Sequence, residues 1–141
     1  MKAIKKEPGR APIIVDITDV RAKLGAGSED VITVHQLATD IAIAVLKEAT
    51  VENFHALGMD FRGTVLVIGI DGDQLVDVPK MDMLLWALFR VVRYGRADRK
   101  NNVWNCRHCG HLEQFEADGP FENGWNICPV CGGWIQKPTD Q

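Results

Sequence analysis

Four cysteines, Cys106, Cys109, Cys128 and Cys131, fall in the last 36 residues of this 141-residue chain. They form two Cys-x-x-Cys pairs with 18 residues between them, and no other pattern restricts the chain as much. A Cys-x-x-Cys turn brings its sulfurs to about 3.7 Å from one another, the edge of a tetrahedron whose thiolates lie roughly 2.3 Å from a central ion. Two such turns facing each other complete the tetrahedron. Gly110 and Gly132 follow the second cysteine of each pair. Glycine there permits a positive φ, so the backbone can curl and aim N–H groups at the thiolates. Pro129 stiffens the second turn by fixing φ. Between the pairs, Asp118-Gly119-Pro120 and Asn123-Gly124 are turn signals that predict a short hairpin. A unit of this size does not fold on apolar burial alone. A bound metal supplies about 10–16 kcal/mol at neutral pH. Four cysteines fill a tetrahedral ion, so the expected site is structural rather than catalytic.

The motifs Cys106-x-x-Cys109-Gly110 and Trp125-x-x-Cys128-Pro129-x-Cys131-Gly132 resemble those of the zinc-ribbon and rubredoxin-like group. The likeness covers residues 103–136, about a quarter of the chain; residues 1–100 carry no such likeness. The resemblance implies one metal ion held by Cys106, Cys109, Cys128 and Cys131 as the cofactor. Zn²⁺ is the expected metal, and iron is the lesser alternative. Rubredoxins hold iron, pass electrons and line their core with aromatics, a lining that Trp104, Phe115, Phe121, Trp125 and Trp134 would supply. His111-Leu112 stand where rubredoxins carry aromatics after the first glycine, which favours zinc. His108 and His111 read as exposed or supporting side chains rather than ligands.

The cysteines and three of the four Trp lie beyond residue 103, which places an expected boundary near Asn101-Asn102. The division reads as an α+β domain over 1–100, with a flexible N-terminal arm over 1–11, and a zinc-ribbon module over 101–141. Within the first part, Ile13 to Ile17 reads as a strand. Val34 to Ala49 shows helical spacing, with Leu37, Ala38, Ile41, Ala42 and Val45 in one arc. Thr50 starts a second short helix that Gly58 caps. Thr64 to Ile70 is apolar on both alternations, as in a strand covered on both faces. Asp71-Gly72-Asp73 then predicts a hairpin into Leu75, Val76 and Val78. Lys80 to Tyr94 reads as the clearest helix, stopped by Gly95. The predicted fold is therefore α+β, a small mixed sheet with two or three helices in the order β-α-β-β-α, followed by the ribbon.

Charge is unevenly spread. Residues 1–89 carry 9 basic and 13 acidic side chains, residues 90–110 carry 6 and 1, and residues 111–141 carry 1 and 5. The basic strip is Arg90, Arg93, Arg96, Arg99, Lys100 and Arg107. On the expected helix Trp86 lies on the polar side with Arg90 and Arg93, opposite Leu84, Leu88, Val91 and Val92. Trp and Arg lead the residue types at binding hot spots, and they suit a base and a phosphate respectively. The plainer reading is a Trp86 packed against the ribbon and arginines placed where a helix C-terminus favours positive charge.

Other candidates are weaker. Asp71, Asp73 and Asp77 read as turn formers and a solvent face before they read as a cation site. His35 and His55 have no nucleophile arranged beside them in sequence, and Gly25-Ala26-Gly27-Ser28 lacks the lysine of a phosphate loop. No enzyme class is supported. With 46% hydrophobic and 25% charged residues the chain has globular proportions. It has no apolar run of about eighteen residues and no apolar stretch behind its basic N-terminus, so the expectation is no membrane span and a cytoplasmic location. These features together predict a non-enzymatic zinc-ribbon interaction protein: an adaptor, regulator or inhibitor whose protein partner belongs to an assembly that handles nucleic acid. Direct nucleic-acid binding by the basic strip and rubredoxin-like electron transfer are the alternatives.

Overall fold

A computed structural model describes residues 1–136. The first elements are β1 (Lys2–Lys6), β2 (Ile13–Asp16), α1 (Val20–Lys23), β3 (Ile32–Ala38), β4 (Ile41–Leu46), β5 (Glu52–Ala56), β6 (Met59–Arg62), β7 (Val65–Asp71) and β8 (Gln74–Val76). They are followed by α2 (Met81–Phe89), β9 (Val91–Val92), β10 (Tyr94–Asp98), β11 (Val103–Cys106), β12 (Leu112–Gln114) and β13 (Trp134–Ile135). The chain is thus mostly β, and the predicted β-α-β-β-α domain is overturned. Its contacts divide into two compact units, one covering Met1–Met81 and the other beginning at Asp82. No helix among the described residues is long and apolar enough to cross a membrane.

The first unit is built on an antiparallel sheet ordered β2-β1-β7-β4-β3, with β8 also paired to β7. β7 is its centre, and the expected burial of Val65, Leu66, Val67 and Ile68 on both alternations is present. Gly69 is needed because the backbone of β8 passes over it; a Cβ there would lie 2.3 Å from the carbonyl oxygen of Asp77. The hairpin after β7 turns through Gly72-Asp73, with Asp71 opposite Gln74. One face of the sheet buries Ala3, Val15, Ile17, Leu24, Ala42, Ala44, Leu66 and Ile68 as a cluster.

Three expectations for this unit fail. The region expected as a flexible arm contains β1, which pairs with β2 on one side and β7 on the other and buries Ala3 and Ile4 completely. The helix expected over Val34 to Ala49 is the β3–β4 hairpin, turning at Thr39-Asp40. Ile41, Ile43 and Val45 alternate with Ala42 and Ala44 in a central strand buried on both faces. Double burial erases the polar half of the alternation, and a short apolar run then satisfies helical spacing equally well. The second expected helix, Thr50 to Gly58, is β5, and Gly58 belongs to the turn into β6. Leu57 and Gly58 both have positive φ, at 55° and 73°, as a two-residue hairpin loop of the primed type requires.

In the second unit β10, β11 and β12 form an antiparallel sheet, and β9 pairs in parallel with β13. The helix expected to reach Tyr94 stops at Phe89. Arg90 closes the last turn with its N–H on the Trp86 carbonyl at 3.0 Å, and its φ of 57° ends the helix in the left-handed conformation usual beyond a C-terminus. The buried pair Val91-Val92 then runs as a strand. Asn101-Asn102 lies in the turn between β10 and β11, inside the second unit.

Candidate metal centre

The two cysteine turns are built alike. Cys106 ends β11, and Cys109 lies in the turn leading to β12. The Gly110 N–H donates to the Cys106 carbonyl at 2.8 Å, and the Cys106 N–H to the His111 carbonyl at 2.9 Å. In the second turn the Gly132 N–H donates to the Cys128 carbonyl at 2.9 Å, and the Cys128 N–H to the Gly133 carbonyl at 2.9 Å. Gly110 and Gly132 have φ of 80° and 74°. Nothing lies within 4 Å of a Cβ at either glycine, so conformation and not space demands glycine there. Asn105 faces Leu112 across the first turn as Ile127 faces Trp134 across the second.

These turns bring the four sulfurs within 4.8 Å of one another. Cys106 Sγ lies 3.9 Å from Cys131 Sγ, and Cys109 Sγ lies 3.6 Å from Cys128 Sγ. Both distances bracket the roughly 3.7 Å edge expected for tetrahedral thiolates. The donor set therefore fits one metal ion. Among the described residues no other group of His, Cys, Asp and Glu has such a placement, and Asp71, Asp73 and Asp77 do not gather. Asp77 instead accepts the Lys2 N–H at 2.8 Å.

Cys106 and Cys128 are fully buried, and Cys109 is exposed. Burial pushes the Cys106 thiol up to about 12, against N–H donors from Cys109 and His108. Burial also raises Cys128, but there the Cys131 N–H, the Tyr94 hydroxyl and the Val130 N–H outweigh it and hold the thiol at about 6. The Tyr94 hydroxyl donates to Cys128 Sγ at 3.1 Å. Its own pKa is raised, by burial first and then by this bond. Tyr94 carries no motif in the sequence. Its register opposite Cys106 brings it to the site.

Trp86 is packed onto both turns. His108 of the first turn stacks on its ring, with centroids 3.9 Å apart and planes 18° apart. Gly133 lies beneath the same ring, which a Cβ there would meet at 2.9 Å. Trp86 joins Val92, Cys106, Cys128, Tyr94, Cys131 and Ile135 in the unit's core cluster.

The basic strip does not form one face. Arg90 rests its guanidinium 5.0 Å from the Trp86 ring centroid. Arg93 is paired with Asp82 at 2.5 Å. Arg96 lies over Trp104 at 4.9 Å, and Arg107 lies over Gly95. Because Gly95 and Arg96 are successive strand residues, those two arginines occupy opposite faces of the β10–β11 hairpin. Arg99 and Lys100 are exposed in its turn. Of the aromatics expected to line the core, Trp134 is instead 59% exposed.

What the geometry defines is a cluster of four cysteine sulfurs, close enough to hold one metal ion, on a small β unit. In comparisons with known proteins, no family model, no curated protein and no solved structure matches the chain.

Proposed function

We propose that this chain is a non-enzymatic, zinc-stapled interaction protein. Cys106, Cys109, Cys128 and Cys131 hold one structural Zn²⁺, and the unit so fixed serves as an adaptor, regulator or inhibitor of a protein assembly that handles nucleic acid. The observation that carries this reading is the matched pair of cysteine turns with their four sulfurs in tetrahedral reach. Thiolates favour zinc or iron over hard cations, and a full set of four protein ligands leaves the ion no position for substrate. Four separate thiols suit a reducing, cytoplasmic setting. Bound zinc supplies folding free energy that the small second unit needs. The exposed cations of residues 90–107 support a partner rich in negative charge.

The test is metal content together with partner capture. One zinc per chain is expected. A partner captured from native-cell extract by the zinc-loaded chain is expected to persist after nuclease treatment and to be lost with Cys128→Ser. A folded chain without metal, or equal capture by Cys128→Ser, overturns the reading.

A further inference from the structure

We propose that the cysteine centre is a peroxide-sensitive switch, in which Cys109 is oxidised first and then pairs with Cys128 across the two turns. The inference goes beyond the interaction-protein reading and rests only on the four-cysteine site within it. The four cysteines differ in access. Cys106 and Cys128 are fully buried, Cys131 is half-buried and Cys109 is exposed. Oxidation of a cysteine follows its thiolate character and its exposure. A shared metal keeps all four ligands as thiolates, so exposure is what separates them, and it selects Cys109. The neighbouring His108 is stacked on the Trp86 ring. The turn is therefore anchored while Cys109 stays open to solvent.

Distance sets the partner of an oxidised Cys109. Cys128 Sγ lies 3.6 Å away, on the other turn, and Cys106 and Cys131 form a second cross-turn pair at 3.9 Å. The 3.6 Å gap has to close to the roughly 2 Å of a disulfide, a small movement for two side chains. The Cys109 thiolate attacks a hydroperoxide. An S–O bond forms as the O–O bond breaks, the sulfur gives up two electrons, and hydroxide leaves. The Cys128 thiolate then attacks the sulfenic sulfur of Cys109. The S–S bond forms, the S–O bond breaks, and a second hydroxide leaves. Two protons from solvent convert both hydroxides to water, so one hydroperoxide is reduced for each disulfide made. Only Cys106 and Cys131 then remain of the four ligands, too few for a closed tetrahedral site. Zinc is released, and those two thiolates take up protons. The chain holds no fifth cysteine to compete within it. The cross-turn bond keeps the two turns tied together after the ion has gone, so reduction restores a site that can reload. A disulfide within either turn would leave the turns unlinked.

The experiment treats the zinc-loaded full chain with stoichiometric hydrogen peroxide and reads zinc release with a chromogenic chelator. Disulfides are mapped by mass spectrometry without reductant. Cleavage after Arg107 and Glu113 puts Cys106, Cys109 and the Cys128–Cys131 turn on three separate peptides, and fragmentation of the linked pair locates the bond. One zinc released per chain, a Cys109–Cys128 bond, and recovery of zinc binding after dithiothreitol are expected. Limiting iodoacetamide should label Cys109 ahead of the other three. Cys109→His retains four ligands as a three-cysteine, one-histidine set and should slow peroxide-driven zinc release about tenfold. A disulfide within either turn, first labelling at another cysteine, or an unchanged release rate in zinc-loaded Cys109→His overturns the inference. If Cys109→His does not load zinc, the disulfide map and the labelling order of the unsubstituted chain decide. When those overturning results come with one zinc per chain, the switch fails alone and the interaction-protein reading stands. A chain that purifies folded and without metal overturns both.

Discussion

In the first unit the largest fully buried side chains are Ile4, Ile43, Val65, Leu66 and Val67, carried by β1, β4 and β7, strands that each pair on both sides. In the second unit Cys106 and Cys128 are as deeply buried as Leu85 and Val92. One unit closes a core with hydrocarbon. The other places thiols where hydrocarbon would otherwise sit. A buried thiol is a small hydrophobe while protonated and a costly buried charge once ionised. The second core thus holds four sulfurs that one shared cation could bridge, and the first has no such group among the described residues.

The comparison is broken most directly at the metal. Cys128→Ser, or a strong zinc chelator, should unfold the cysteine-bearing unit, since it removes much of the roughly 10–16 kcal/mol that zinc supplies. The β1–β8 sheet should persist. Backbone amide NMR spectra distinguish the two halves, and a chain that melts as one would show a single cooperative unit instead. Leu66→Ala reverses the test. It should cost the first unit about 2–5 kcal/mol, read by denaturant unfolding, and leave zinc affinity unchanged. Trp86→Ala sharpens the picture within the second unit. Trp86 bridges both cysteine turns, so about 2–3 kcal/mol should be lost there and zinc should dissociate faster, as followed with a colorimetric chelator. Tyr94→Phe is the smallest expected effect, about 1 kcal/mol of zinc affinity. Its signature is a shift of the sulfur-to-cobalt charge-transfer band, because the hydroxyl acts on Cys128 Sγ rather than on packing.

A second contrast lies between the two cysteine turns. At equivalent places, the first carries His108 and Leu112, and the second Val130 and Trp134. His108 stacks on Trp86 of the same chain, whereas Val130 is open at 64% exposure; Leu112 and Trp134 are equally open, each 59% exposed. The two turns thus differ at the residue before the second cysteine and are alike at the residue three beyond it. The sequence pattern, which treats them alike, gives no hint of this.

Legibility followed the same division. The cysteine spacing was readable because a metal turn is local: four residues and a following glycine set its geometry. The β7 strand and the Gly72-Asp73 hairpin were readable for the same reason, a local run and a local turn. The β3–β4 hairpin was not. Ile41 to Val45 satisfies both periods, and only the neighbours β3 and β7 decide that it is extended. The basic strip was visible as composition, but pairing of Arg93 with Asp82 and the opposite faces of Arg96 and Arg107 depend on strand register.

By itself, then, the sequence determined which four cysteines could hold a metal, the glycines that let their turns close, and the uneven charge along the chain, because each is a matter of residue type at short separation. Tertiary structure decided that the body is a β-sheet, that the first residues are a strand inside it, that Tyr94 reaches Cys128, and that Trp86 is covered while Trp134 is open. Those depend on which distant segments lie alongside one another. Burial is a property of the neighbour as much as of the residue.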